Sequence, residues 1–139
     1  MTRRFAEDTK VPVSRSTEEL KAVLRKAGAD QIAVFESAAQ SAVGFTLGGR
    51  MYRLSAKVNP KAPNPGQDER RAWRLLLLLA KAKLEAVADG ATTVEREFLA
   101  DMILPDGQTM GAWAAPQLAL AYQTKAMPAA LMLEGPRDG

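Results

Sequence analysis

The chain has 139 residues, of which 47% are hydrophobic and 25% charged, with a net charge of +3. That is the length and balance of one folded domain, too short for two and too apolar for global disorder. It contains no cysteine and no histidine, which excludes disulfides, zinc sites built from Cys or His, and Ser–His or Cys–His nucleophile systems.

The mild basic excess permits a polyanion partner without demanding one. No cofactor is expected. The start of the chain, Met1 to Asp8, has arginines but no apolar stretch behind them, so it does not read as a signal peptide. The most apolar run, Leu75 to Ala80, falls far below the roughly 20 residues needed to span a bilayer. These features predict a soluble cytoplasmic protein with no membrane partner. Residues 1–9 and 134–139 are expected to fray around a single domain over 10–133.

In chain order, Lys10 to Ser14 is readable as a short edge strand, because Pro12 cannot donate to a ladder. Ser16-Thr17-Glu18-Glu19 has the form of a capping box. It opens a helix whose apolar face is Leu20, Val23, Leu24 and Ala27, with Gly28 as the stop. The period then changes to two. Gln31 to Phe35, Ala42 to Leu47 and Tyr52 to Val58 are predicted strands, with a turn at Ser37 to Gln40 and a two-residue Gly48-Gly49 hairpin. Asn59 to Gln67 holds three prolines and a glycine and reads as a linker.

Asp68 is expected to open the longest helix, running to about Asp89. Trp73, Leu76, Leu77, Ala80, Leu84 and Val87 form its stripe. Leu75, Leu78 and Leu79 widen that stripe, so burial on two sides is expected, against the sheet and a later helix. Thr92-Thr93-Val94-Glu95 reads as a second capping box, opening a helix to about Ile103 with Val94, Phe98, Leu99 and Met102 inward. Leu104 to Thr109 is a turn. A last helix over Thr109 to Thr124 is expected to be kinked or split at Pro116, with Trp113, Leu118, Ala121 and Tyr122 inward. The predicted fold class is α+β: a three-stranded antiparallel meander, with the N-terminal edge strand beside it, packed on a long Leu-rich helix. One N-terminal and two C-terminal helices complete it.

Asp8-Thr9-Lys10-Val11-Pro12-Val13-Ser14, Gly28-Ala29-Asp30, Gly49-Arg50-Met51, the block from Lys81 to Val87 through Glu97 to Ala100, Leu104-Pro105-Asp106-Gly107 and Ala115-Pro116-Gln117 together resemble a family of small bacteriophage and prophage proteins with no assigned activity. The resemblance covers most of the chain. It implies a mobile-element context in a bacterial host, and so nucleic-acid transactions or antagonism of host defences.

Four groups of residues bear on chemistry. Arg50, Arg53 and Lys57 follow the glycine hairpin, and Arg70, Arg71 and Arg74 surround Trp73. They form either a polyanion-binding face or an ordinary solvated surface. Tyr52 and Arg53 point to opposite sheet faces and cannot serve one groove. Glu97 and Asp101, with Glu95 and Asp89 nearby, would stand at i and i+4 on one helical face, within reach of a magnesium ion. Acids in a first helical turn equally serve the helix dipole. No Gly-rich strand-to-helix loop of the phosphate-cradling kind is present. Met127, Leu131, Met132 and Leu133 make the late chain too apolar for a free tail; it packs on the domain or meets another chain, which includes a homo-oligomer.

The leading expectation is a non-enzymatic accessory protein that binds nucleic acid or a nucleic-acid-handling complex. The alternative is a stoichiometric inhibitor of a host defence protein, in an anti-CRISPR or similar role. The third is a metal-dependent nuclease built on Glu97 and Asp101.

Overall fold

The computed structural model describes residues 11–129; the ends expected to fray lie outside them, as do Leu131, Met132 and Leu133. Helix α1 spans Val13–Lys26, followed by strands β1 (Ile32–Glu36), β2 (Gln40–Leu47) and β3 (Arg50–Lys57). The long helix α2 covers Pro65–Ala88, and a single turn α3 covers Val94–Glu97. A 3-10 turn at Leu99–Asp101 then leads to α4, Met110–Thr124. The three strands form an antiparallel meander in the order β1-β2-β3, so the α+β architecture is as expected.

No N-terminal edge strand forms over the described part of that segment, Val11 to Ser14. Pro12 holds φ −59° and ψ 147° and serves as the helix N-cap. Its carbonyl accepts from the Arg15 and Ser16 amides. The helix therefore starts before the Ser16 box, and Ser16 faces inward with its hydroxyl unpartnered among the described residues. Helix periodicity explains the shift: Val13, Ser16, Leu20 and Leu24 share one stripe, so burial outweighs the capping signal. Gly28, at φ +101°, stops the helix as predicted.

Gly48 and Gly49 hold φ +61° and +77°, the double left-handed geometry of a tight hairpin. The register that follows pairs Phe45 with Tyr52 and Val43 with Leu54. These residues, with Leu47 and Ala56, bury one face of the sheet. Phe45, Tyr52 and Phe98 form an aromatic cluster with ring centroids 5.5 to 5.9 Å apart.

Helix α2 begins three residues before the expected Asp68. Asn64 caps it, its side chain accepting from the Gln67 amide at 3.1 Å, and Pro65 takes the first helical position, where a missing N–H costs nothing. Trp73, Leu76, Leu77, Ala80 and Leu84 are buried. Burying each leucine contributes roughly 1.5–3 kcal/mol, so α2 is the spine of the domain. Its second flank is covered mainly by α1, and of the later helices the short α3 also packs against it. Leu79 is left 41% exposed.

The predicted helix from Thr92 to Ile103 breaks after one turn. Thr93, not Thr92, is its cap and accepts from the Arg96 amide at 3.2 Å. Phe98 leaves the helix to enter the core, and Leu99 is thereby turned outward. Met102 forms an isolated bridge with Tyr52, and the Ile103 amide donates to the Met51 carbonyl at 2.8 Å. This segment closes the outer edge of β3 in place of a fourth strand. Among the described residues, no helix is long and apolar enough to cross a membrane.

The last helix is continuous through Pro116 and has no buried residue. Leu118 and Tyr122, expected inward, are 47% and 86% exposed.

Candidate functional site

The helices cover only one face of the sheet. Cross-strand register puts Ala33 and Phe35 of β1, Ala42, Gly44 and Thr46 of β2, and Met51, Arg53, Ser55 and Lys57 of β3 on the other. No carboxylate stands among these nine positions. Phe35 is 55% exposed and Met51 52%. A Cβ added to Gly44 would lie 3.4 Å from the Phe35 ring. The ring therefore extends over the glycine toward Arg53, which pairs directly with Gly44, and a side chain at position 44 would crowd it. A shallow groove of about 410 Å³ runs over this surface, lined by Ala33, Phe35, Gly44, Met51 and Arg53 and walled by Ile103.

The six basic residues singled out in the sequence do not make one surface. Arg53 and Lys57 share the open face, four residues apart on β3 with Ser55 between them. Arg50 belongs to the opposite parity and lies 3.8 Å from Glu95. Arg71 is buried: its Nε donates to Asp68 at 2.9 Å and its Nη2 to the Lys57 carbonyl at 2.6 Å. Arg70 donates to Gln67 Oε1 at 2.7 Å, and Arg74 lies 3.8 Å from Glu19. Arg71 is thus a structural residue, and Arg70 and Arg74 belong to the helical layer. Trp73, wholly buried, is core.

The acidic set is also dispersed. Because α3 ends at Glu97, the i, i+4 face that would align Glu97 with Asp101 does not form. Glu97 Oε2 accepts from the Thr92 hydroxyl at 3.1 Å, and the Glu97 carbonyl accepts from Lys83 Nζ at 2.8 Å. Burial raises the Asp101 pKa above the usual carboxylate value, opposed by the charge of Lys83. Among the described residues, no group of three or more acidic side chains is placed to hold a metal ion.

Tyr52 lies on the buried face behind the groove. Its hydroxyl makes no hydrogen bond of normal geometry to the described residues. Burial, then the charge of Glu95, raises its pKa, with Arg50 acting in the opposite sense. No protein-family model matches the chain, and neither a curated protein nor a solved structure is similar to it. No residue role is therefore carried over from a relative.

Two features are not legible in the sequence. Phe35 sits in an apolar run, Ile32-Ala33-Val34-Phe35, that reads as a buried strand. Its exposure follows from β1 being the sheet's uncovered edge. Helix α4 was expected to pack inward because it is apolar. Met127, singled out as an interface residue, is 57% exposed just beyond it.

Proposed function

We propose that the chain is a non-enzymatic binding protein of a bacteriophage or prophage that takes single-stranded nucleic acid on the open face of its sheet. The observation carrying this reading is the exposed Phe35 ring, lying over Gly44 beside Arg53 on a face without carboxylates. An unpaired base has a π-face that stacks on such a ring. Arg53 and Lys57 supply cations for the adjoining phosphates. Gly44 permits close approach, and Thr46 and Ser55 offer hydroxyls to sugar and phosphate.

Duplex DNA fits this surface less well. Its bases are stacked and cannot reach Phe35, and two cations give weak backbone attraction. The test is fluorescence anisotropy with a labelled single-stranded oligonucleotide and the matching duplex, over a range of salt. Preferential single-strand binding that weakens with salt and is lost in Phe35→Ala is the expected result. No binding at low salt rules the reading out.

One observation favours a second reading, capture of a host protein: the exposed apolar surface of α4 and Met127. An inhibitor of this kind would bind its target without nucleic acid and would be indifferent to Phe35→Ala.

A further inference from the structure

We infer that the groove on the open face selects guanine: a base stacked on Phe35 presents its O6 and N7 edge to the Arg53 guanidinium. This rests on the single-strand reading above and adds the identity of the base.

Arg53 differs from the other arginines weighed for binding. Arg50 and Arg74 lie 3.8 Å from Glu95 and Glu19, Arg70 donates to Gln67, and Arg71 donates to Asp68. Arg53 is half-buried, yet its guanidinium makes no hydrogen bond or ion pair with the described residues. A charged group drawn partly out of water without a protein acceptor loses hydration that nothing in the chain replaces. It is a seat for an acceptor brought by a ligand.

The register places that acceptor. Phe35 pairs with Ala42, and its ring reaches forward over Gly44, the residue that pairs with Arg53. A base on the free side of the ring therefore lies beside Arg53. Ahead of it in the same groove stand Gln31 and Thr46, held together by the Thr46 amide donating to the Gln31 carbonyl at 3.0 Å. Lys57 pairs with Gln40, behind the root of the ring, about 13 Å along β3 from Arg53. The lysine is placed for the backbone of a flanking nucleotide. The guanidinium is placed for the base, while its charge still attracts neighbouring phosphates.

Donor and acceptor chemistry chooses among the bases. A guanidinium only donates. Guanine sets two acceptors, O6 and N7, side by side, and the fork meets both. Adenine puts an N6 donor beside its N7, and a guanidinium cannot accept from it. Cytosine offers an N4 donor, the group that carboxylates take, and the open face has no carboxylate. Thymine offers one O4 acceptor next to a methyl group. Gln31 and Thr46 supply oxygens for the N1–H and N2–H groups of guanine, and neither side chain is engaged by the described residues.

The test is fluorescence anisotropy with labelled oligothymidylates carrying one central guanine, adenine, cytosine or 7-deazaguanine, at a single moderate salt concentration. Guanine should bind about ten- to a hundred-fold more tightly than adenine or cytosine. The 7-deaza base lacks the N7 acceptor and should lose most of that margin, with the protein unaltered. Arg53→Lys keeps the charge but removes the fork, so it should bring guanine level with the other bases. Equal affinity for all four oligonucleotides, still lost in Phe35→Ala, would overturn the guanine assignment and leave single-strand binding standing. A guanine preference that survives the 7-deaza base or Arg53→Lys would remove Arg53 as its reader. Absence of binding to every oligonucleotide at low salt would overturn both readings.

Discussion

The Asp68 carboxylate accepts from Arg71 Nε at 2.9 Å with both side chains buried, one turn apart at the start of α2. The same carboxylate accepts from the Asn59 amide at 2.7 Å, and the same guanidinium donates to the Lys57 carbonyl at 2.6 Å. The pair therefore ties the end of β3 and the proline-rich linker to α2. This is the join that fixes the sheet's angle on its helix, and with it the aspect of the open face. A buried charge left without its partner costs far more than a surface pair is worth. Arg71→Met should lower stability by about 3–5 kcal/mol, read as a shift in the urea midpoint. A loss typical of an exposed ion pair would remove the clamp from this account.

Phe98 is the residue that ends α3. Its ring is wholly buried, edge-on to Phe45 at 5.6 Å, with Lys83 Nζ 5.6 Å above it. Truncation leaves a cavity that the Tyr52 and Phe45 rings cannot fill. Phe98→Ala should cost about 3–5 kcal/mol. The neighbouring Tyr52→Phe should be neutral or stabilising by about 1 kcal/mol, since it removes a buried hydroxyl that makes no hydrogen bond of normal geometry to the described residues. Equal losses for the two would mean that the hydroxyl is satisfied in solution.

What could be read from the residues follows from which force decided each element. The meander was legible because alternation and the Gly48-Gly49 turn act locally and agree. The spine was legible because Trp73, Leu76, Leu77, Ala80 and Leu84 sit at helical spacing. Three boundaries were not, two because tertiary burial overruled the local signal and one because a cap lay inside the proline-rich linker. Ser16 was drawn under the core, Pro65 opened α2 early from its Asn64 cap, and Phe98 left its helix for the aromatic cluster. The site was half legible. Arg53 and Lys57 could be placed on a wet face by parity alone. The burial of Arg71 could not be foreseen without knowing that Asp68 lies beside it and that both reach back to β3. Nor could the exposure of Phe35, since an apolar residue on an edge strand has the same local pattern as one at the centre of a sheet.

Asp101 provides a pH dependence whose sign is fixed by its surroundings. Burial raises its folded pKa, and Lys83 only opposes that rise. Between the unfolded-chain value and the raised folded value, the native state holds the proton more often than the unfolded state. Unfolding then releases protons, and stability falls as pH rises through this window. Asp101→Asn should match the wild type near pH ~3, where both carboxyls are protonated, and exceed it near pH ~7. Urea unfolding at the two pH values checks this. A variant weaker than the wild type at neutral pH would mean that the Lys83 charge dominates.

On the open face, Phe35 and Lys57 should fail in different ways. Phe35 is exposed, so its removal has little to disturb in the core. Stacking of a base on an aromatic ring is worth about 1–3 kcal/mol, so Phe35→Ala should weaken single-strand binding roughly five- to a hundred-fold without steepening or flattening its salt dependence. Lys57 makes no hydrogen bond through its ammonium group to the described residues. As a phosphate contact it contributes through counterion release, so Lys57→Ala should reduce the slope of log affinity against log salt by about 0.7, with a smaller loss of affinity at moderate salt. Anisotropy titrations at several salt concentrations separate the two. If Phe35→Ala changes the slope while Lys57→Ala does not, the nucleic acid is not lying across the sheet in the order that places a base on the ring and a phosphate by the lysine.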